Sequence, residues 1–210
     1  ITAIGFLILL AGSALISRQG LLTVSSNSLQ REEQALNKYQ FFLKPVNDEA
    51  NIHFRHQSPL VDPKLKPIER QIASMGASVS VVDFDNDGWN DIYFTNSRQG
   101  SHNVLYHNLH NGKFEEVAMQ AGLADVNREG TGVSMGAIWG DYDNDGYEDM
   151  LLYKWGRPEL YHNDHGKKFV RVTEGSGLPP WVNANSAVWL DFDRDGKLDL
   201  LICGYYNENY

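Results

Sequence analysis

Three short windows of the sequence, each nine residues long and each holding four aspartates, constrain this chain most strongly. They read DFDNDGWND from Asp83, DYDNDGYED from Asp141 and DFDRDGKLD from Asp191. Their aspartates are twelve of the 27 acidic residues, and removing those twelve negative charges would change the net charge from −9 to +3. Carboxylates this close repel one another in a tight turn, so we expect a cation among them in the folded protein.

The spacing within each window is typical of an oxygen-ligand loop for a divalent cation. Positions 1, 3, 5 and 9 supply carboxylates, the glycine at position 6 permits a sharp turn, and position 7 offers its backbone carbonyl. Mixed carboxylate and carbonyl oxygens favour Ca²⁺ over the smaller, stricter Mg²⁺. We predict three calcium sites, one per window, with these ligands: Asp83, Asp85, Asp87, Trp89 and Asp91; Asp141, Asp143, Asp145, Tyr147 and Asp149; Asp191, Asp193, Asp195, Lys197 and Asp199.

Two other interpretations of the windows are weaker. An EF-hand needs a glutamate at position 12 and flanking helices, whereas position 12 is Phe94, Leu152 and Ile202 here. An Asp-Gly pair alone can mark a hairpin turn, but a turn does not require four aspartates three times over. We also expect Lys197 and Arg194 to weaken the third site by their positive charge.

A second element repeats between the windows. Leu-Tyr-His-Asn begins at Leu105 and again at Leu160, and in both copies a Lys-Phe pair and then a Gly-Leu pair follow. Tyr106, Phe114 and Gly122 each recur 55 residues later. Apolar, strand-like runs flank every window. The chain therefore has an internal repeat of about 55 residues that contains several short strands. A four-stranded β-propeller blade has this size.

The first residues have a different character. Ile1–Ile16 carry no charge, and such a run is either a transmembrane anchor or the apolar region of a secretory signal with a cleavage site near Gly12-Ser13-Ala14. We expect a signal-anchor helix within residues 1–24, with residues 1–17 in the lipid bilayer. Residues 25–45 then form a stalk, read equally well as a helix or as a flexible linker.

Composition excludes several classes of function. A net charge of −9 disfavours nucleic-acid binding, and Cys203 as the single cysteine leaves no disulfide or Cys-x-x-Cys pair.

Gly132–Gly136 match Gly-x-Ser-x-Gly, but that nucleophile elbow needs a following helix, and an acidic window follows instead. His53 and His56 could reach one metal but lack a third ligand. His107 and His162 occupy equivalent repeat positions, and we expect them to form hydrogen bonds within the repeat rather than to act as catalytic bases.

These residues resemble a known family. The three windows look like the calcium loops of FG-GAP/VCBS repeats, which are the blades of integrin α-subunit-type propellers. The LYHN element and the segment from Val46 to His56 are similar to the bacterial ASPIC/UnbV, or cartilage-acidic-protein-like, branch. The resemblance covers residues 46–210, although Phe-Gly and Gly-Ala-Pro themselves are absent. It implies an exported, all-β, seven-bladed propeller with calcium loops on one face, of which this chain would hold about three blades.

From these features we expect a bacterial, membrane-anchored, extracytoplasmic calcium-binding propeller, in the periplasm or at the cell surface. Its role would be that of a non-catalytic scaffold that binds other protein subunits of a membrane complex. Two alternatives stay open. One is a cell-surface adhesion or glycan-binding module, because exposed tryptophans can bind sugars. The other is a propeller lyase or hydrolase whose active residues lie in other blades.

Overall fold

The computed structural model describes residues 29–69 and 76–205, and the chain divides into two compact units, residues 1–46 and 47–210. In the first unit, residues 29–39 form helix α1, which ends where Gln40 takes a φ of 61°. This helix lies within the predicted stalk. The predicted anchor lies outside the described residues, and among those described no helix is both long and apolar enough to cross a membrane.

The described part of the second unit is built from ten strands and two short helical turns. A 3₁₀ turn (Pro63–Ile68) precedes the strands, and helix α2 (Ala118–Ala121) lies among them. The strands are β1 (Ser78–Val82), β2 (Asp91–Thr95), β3 (Val104–Asn108), β4 (Phe114–Glu116), β5 (Gly132–Gly140), β6 (Asp149–Gly156), β7 (Glu159–Asn163), β8 (Phe169–Arg171), β9 (Val182–Leu190) and β10 (Asp199–Gly204).

The strands form two antiparallel meanders and the start of a third. β1, β2, β3 and β4 pair in chain order, and β5, β6, β7 and β8 repeat the same order. β9 and β10 form a hairpin whose first strand also pairs with the end of β6, where Trp155 lies opposite Asn183. The prediction of an all-β chain made of repeated antiparallel units is confirmed.

One hydrophobic core joins the two meanders. Tyr93 and Leu105 from the first meander and Met150 and Leu152 from the second are fully buried in the same cluster. Trp139 of β5 bridges them, because its ring lies 5.7 Å, edge-on, from Tyr93 and its Nε1 donates to Ser80 Oγ at 2.8 Å. The meanders therefore pack against each other face to face, and their relative position is fixed by aromatic contacts.

A buried charged network lies at the start of β7. The Lys154 ammonium donates to the Val126 carbonyl at 2.6 Å and to Thr131 Oγ1 at 2.9 Å, and it lies 3.5 Å from Glu159 Oε1. Glu159 also accepts from the Tyr161 hydroxyl at 2.5 Å. Lys154 and Glu159 are both fully buried, and burial lowers the pKa of Lys154 to about 8. Val126 and Thr131 lie in the segment that connects the two meanders, so the network attaches this segment to the second meander.

The backbone packs closely around Gly132 at the open end of the β5–β6 hairpin, so we expect alanine there to destabilise the chain more than alanine at Gly130. Gly132 has a φ of +80°, and a Cβ there would lie 2.1 Å from the Trp155 carbonyl oxygen. Gly130 has a φ of +74° with nothing within 4 Å of its would-be Cβ. Alanine at either position strains the backbone, so the difference between them measures the close approach. We expect Gly132→Ala to lower the free energy of unfolding by roughly 1–3 kcal/mol more than Gly130→Ala in urea denaturation. Equal losses would show that β6 moves aside.

Candidate metal centre

The three acidic windows occupy the same place in three successive units. Each one connects the first strand of its unit to the second: β1 to β2, β5 to β6, and β9 to β10. The last aspartate of each window is the first residue of the second strand. The prediction that strands flank every window is confirmed, and equivalent topology gives all three loops the same backbone frame.

The backbone of each loop turns through two left-handed residues. Position 4 has a positive φ near 60° in all three loops, and the glycine at position 6 has a φ between 83° and 94°. Asparagine tolerates the left-handed region better than most residues, and Asn86 and Asn144 hold position 4 in the first two loops. Arg194 holds it in the third, with a φ of 64°. The predicted sharp turn at position 6 is present in every loop.

Backbone N–H groups draw the carboxylates of positions 1 and 5 into the loop. In the first loop, Asp83 accepts from the backbone nitrogens of Asp87 at 3.1 Å and Gly88 at 2.9 Å. Asp87 in turn accepts from the Trp89 nitrogen at 2.8 Å. The same bonds recur in the second and third loops at 2.9–3.1 Å. These bonds hold the side-chain oxygens on the inside of the turn.

The aspartate at position 9 is the buried end of each of the first two loops. Asp91 accepts from the backbone nitrogens of Phe84 at 3.3 Å and Asn108 at 2.8 Å, and Asp149 is held in the same way by Tyr142 and Asn163. Burial raises the pKa of Asp91. Burial also raises the pKa of Asp149 to about 6, and the neighbouring Asp143 carboxylate adds to that rise. A bound cation would therefore offset the cost of burying these two carboxylates in their charged form.

Carboxylate oxygens converge in every loop. The groups whose ligand atoms lie within 4.8 Å of one another are Asp83, Asp85 and Asp87; Asp85, Asp91 and His107; Asp141, Asp143 and Asp149; Asp143, Asp145 and His162; and Asp191, Asp193 and Asp199. Asp195 is not in the third group, where all three members are exposed. The three groups made only of aspartates offer oxygen ligands alone, which suit Ca²⁺. The carbonyl ligands expected at Trp89, Tyr147 and Lys197 stay a prediction.

No lysine or arginine neutralises these loops in the described part of the chain. The ion pairs found for their aspartates are all with histidines, at Asp85, Asp87, Asp91, Asp143 and Asp149. The first two windows contain no lysine or arginine, and Arg194 and Lys197 of the third form no ion pair with its aspartates. The arrangement of the side chains therefore favours a cation from outside the protein as the counter-charge of the windows.

Histidines from the second repeated element contact the acidic loops. His107 Nδ1 lies 3.2 Å from Asp91 Oδ1, and His162 Nδ1 lies 3.2 Å from Asp149 Oδ1. The expected hydrogen bond within the repeat is formed by His107, whereas His162 Nδ1 is buried without a hydrogen-bond partner among the described residues. His110 stacks on Trp89 at 5.1 Å and also contacts Asp87, and His165 lies edge-on to Tyr147 at 5.3 Å. The sequence does hold a signal for His110 and His165, because Tyr-His-Asn-x-His occurs in both copies of the repeated element.

Successive loops are joined to each other by side-chain amides. Asn86 of the first loop donates to the Gly146 carbonyl of the second at 2.7 Å, and Asn144 of the second donates to the Gly196 carbonyl of the third at 3.4 Å. Glu148 lies between the first two loops; burial raises its pKa, and the carboxylates of Asp83 and Asp141 raise it further. The three loops therefore lie side by side as one acidic row.

The residues considered for other chemistry do not assemble into a site in the described part of the chain. Ser134 of the Gly-x-Ser-x-Gly match is buried near the start of β5, where its hydroxyl donates to Asn127 Oδ1 at 2.8 Å. No helix follows that strand directly, so the nucleophile elbow is not formed. His53 lies near Asp48 and His56 contacts Ser97, and the two histidines share no cluster that could hold a metal.

This repeat is also found in known proteins. A family model described as FG-GAP-like repeat matches residues 83–152 and again residues 141–202. Cartilage acidic protein 1 of Mus musculus is 33% identical over 95 residues, and that of Homo sapiens is 32% identical over 95 residues. These alignments cover 44% of this chain and 14% of each relative. The chain thus spans a small part of the curated relatives that it matches.

Proposed function

Since the chain belongs to the FG-GAP-like repeat family, we propose that it forms successive blades of a calcium-binding β-propeller. We propose further that this propeller is a non-catalytic, protein-binding subunit of a larger membrane assembly outside the cytoplasm. The membrane part of the proposal comes from the uncharged residues at the start of the chain. The binding part comes from the architecture of the repeats.

The arrangement of the strands supports the propeller. Two four-stranded antiparallel meanders pack face to face through one core, and a third unit begins with the β9–β10 hairpin. The first strands β1, β5 and β9 lie next to one another. In propellers, the blades stand around a central axis with their first strands innermost. Repeats of about 55 residues that are related in this way are the expected building blocks.

The observation that carries the proposal is the set of three loops with converging, uncompensated carboxylates. Each gathers at least three aspartate oxygens within 4.8 Å, without a lysine or arginine partner among the described residues. The carboxylates at positions 1, 3, 5 and 9 would hold the ion, and Asp195 of the third loop is the one window aspartate that belongs to no cluster of the described residues. Bound calcium supplies the positive charge that this donor set lacks.

The amide links between loops give calcium binding a mechanical consequence. Because Asn86 bonds to Gly146 and Asn144 bonds to Gly196, the geometry of one loop constrains the next. Neutralising the carboxylates fixes each turn, and the links extend that order along the row. A rigid row of loops at the edge of a propeller is a suitable platform for a protein partner, because preorganised surfaces lose less entropy on binding.

Isolation of the chain from its native membranes, without crosslinker, tests this function. One arm keeps calcium throughout and the other contains the chelator EGTA. We expect a second protein to co-purify at constant stoichiometry with calcium and to be lost with EGTA. The Asp143→Asn variant should lose it too, whereas Glu129→Gln, which removes an exposed carboxylate outside the loops, should retain it. Recovery of the chain alone in both arms would contradict the scaffold role.

A further inference from the structure

A cationic groove lies away from the acidic loops. It has a volume of about 670 Å³ and runs between residues 53–57 and the β2–β3 loop. Its lining includes Arg55, Arg98, His53 and His102, and no aspartate or glutamate of the described residues. The acidic loops join β1 to β2, so the groove and the first acidic loop lie at opposite ends of strand β2. A positive groove of ligand-binding size is unusual on a chain whose net charge is −9.

The wall that carries Arg98 and His102 is held by buried amides. Asn127 Nδ2 donates to the carbonyls of Asn96 and Ser101 and to Asn103 Oδ1 at 3.0–3.1 Å. Asn96 Nδ2 donates to the His102 carbonyl at 2.6 Å. Asn103 and Asn127 are fully buried, and Asn96 nearly so. The β2–β3 loop is therefore a fixed scaffold, since breaking a buried amide network leaves unsatisfied polar groups.

The opposite wall is attached to this loop along its length. The Gln57 nitrogen donates to Asn96 Oδ1 at 2.6 Å, and the Ser97 nitrogen donates back to the Gln57 carbonyl at 3.1 Å. Phe54 stacks on Phe94 with ring centroids 4.8 Å apart. The two walls thus form one preorganised unit. Phe54 and Tyr106 add aromatic surface to the same groove.

The arginines of the groove differ from those of the second meander in having no acidic partner. Arg128 pairs with Glu159, and Arg157 and Arg171 both pair with Glu174. Arg98 donates its Nε to the Ser58 carbonyl at 3.1 Å, and neither it nor Arg55 has an ion pair among the described residues. Guanidinium groups bind carboxylate, sulfate and phosphate oxygens in a forked geometry. Both arginines line a groove that has no aspartate or glutamate among its described lining residues.

We propose that this groove binds the oxyanion group, carboxylate, sulfate or phosphate, of a small organic ligand, with Arg55 and Arg98 on the anion and Phe54 and Tyr106 against its apolar part. The proposal goes beyond the calcium-dependent scaffold and does not rest on it, because no residue of the acidic loops lines the groove. A ligand with both features fits a groove that combines charge with aromatic surface.

Titration calorimetry of the full chain with three probes tests the site. The probes are phenyl phosphate, phenylacetate and the neutral benzyl alcohol. We expect saturable binding of at least one anion below about 10 mM and none of benzyl alcohol. Arg55→Gln should weaken that binding by about tenfold or more, as should Arg98→Gln, while Lys113→Gln, an exposed charge change elsewhere, should alter it less than about twofold. The two anions distinguish a phosphate from a carboxylate ligand.

Arg55→Gln is the decisive variant, because Arg55 makes no hydrogen bond or ion pair in the described part of the chain and its loss should leave the fold intact. Thermal unfolding of each variant checks this. Absence of saturable binding of either anion would overturn the proposal. So would an equal effect of Arg55→Gln and Lys113→Gln, which would indicate general charge attraction. Binding of benzyl alcohol as tight as that of the anions would also overturn it.

Discussion

Removing calcium should lower the stability of this chain strongly. Replacing one loop carboxylate with an amide should destabilise the calcium-bound chain and stabilise the calcium-free chain. A ligand that binds only the folded state stabilises it by about 2.7 kcal/mol per site when its concentration is a hundred times its dissociation constant. With three candidate loops the gain accumulates. We expect a clear fall in the unfolding temperature on adding EGTA and recovery with excess calcium, followed by circular dichroism.

Asp143→Asn gives the sharpest form of this prediction. Asp143 belongs to both clusters of the second loop and accepts no backbone hydrogen bond among the described residues, so asparagine changes the charge with little other loss. With calcium the variant should unfold at a lower temperature than the unmodified chain, because a charged ligand is missing. In EGTA it should unfold at a higher temperature, because one repulsive charge has been removed.

The matched control is Glu129→Gln, which removes an exposed negative charge outside the loops. It should change the unfolding temperature little in either condition. If Asp143→Asn instead destabilises the chain equally with calcium and with EGTA, the carboxylate is only a structural hydrogen-bonding group. An unfolding temperature of the unmodified chain that does not respond to EGTA would remove the basis for calcium binding altogether.

The local geometry of the acidic loops could be predicted from the sequence because it depends on neighbours in the chain. The aspartate spacing and the glycine at position 6 fix which oxygens face inward, and the structure shows that turn in every loop. The 55-residue register also predicted the repeated antiparallel units. The same register relates His110 to His165, and each contacts the aromatic residue at position 7 of its loop.

Contacts between units could not be predicted in the same way. The bond from Asn86 to Gly146 joins residues 60 apart and depends on how the two meanders pack. The absence of Asp195 from the third cluster likewise follows from side-chain placement and not from spacing, since its window has the same pattern as the others. The groove at Arg55 and Arg98 forms only when a distant segment returns to the β2–β3 loop.

The burial of Lys154 could not be predicted from the sequence. Lysine is almost always exposed unless it is paired, yet this one is fully buried beside Glu159. We expect Glu159→Gln to lower the free energy of unfolding by about 3–5 kcal/mol, because it leaves the Lys154 charge buried without its partner. Arg128, which lies 3.3 Å from the same carboxylate, loses its partner as well. Urea denaturation at neutral pH measures the effect.

The pH dependence of that loss identifies its cause. Burial already lowers the pKa of Lys154 to about 8, and removing Glu159 should lower it further. A lysine with a depressed pKa binds more protons in the unfolded chain, so stability rises with pH between the folded and the unfolded pKa. The variant enters that window at a lower pH than the unmodified chain. The loss should therefore be largest well below pH 8 and shrink as the pH approaches about 8, then stay constant.

Two further variants separate charge from packing. Glu174→Gln removes an exposed partner of Arg157 and Arg171 and should change stability little at any pH. Lys154→Met combined with Glu159→Gln should abolish the pH-dependent part of the loss, because the titrating group is gone. A loss from Glu159→Gln that is the same across this pH range, with or without Lys154, would mean that the carboxylate stabilises the fold through its bond from the Tyr161 hydroxyl. In that case the buried ammonium would already be tolerated through Val126 and Thr131 alone.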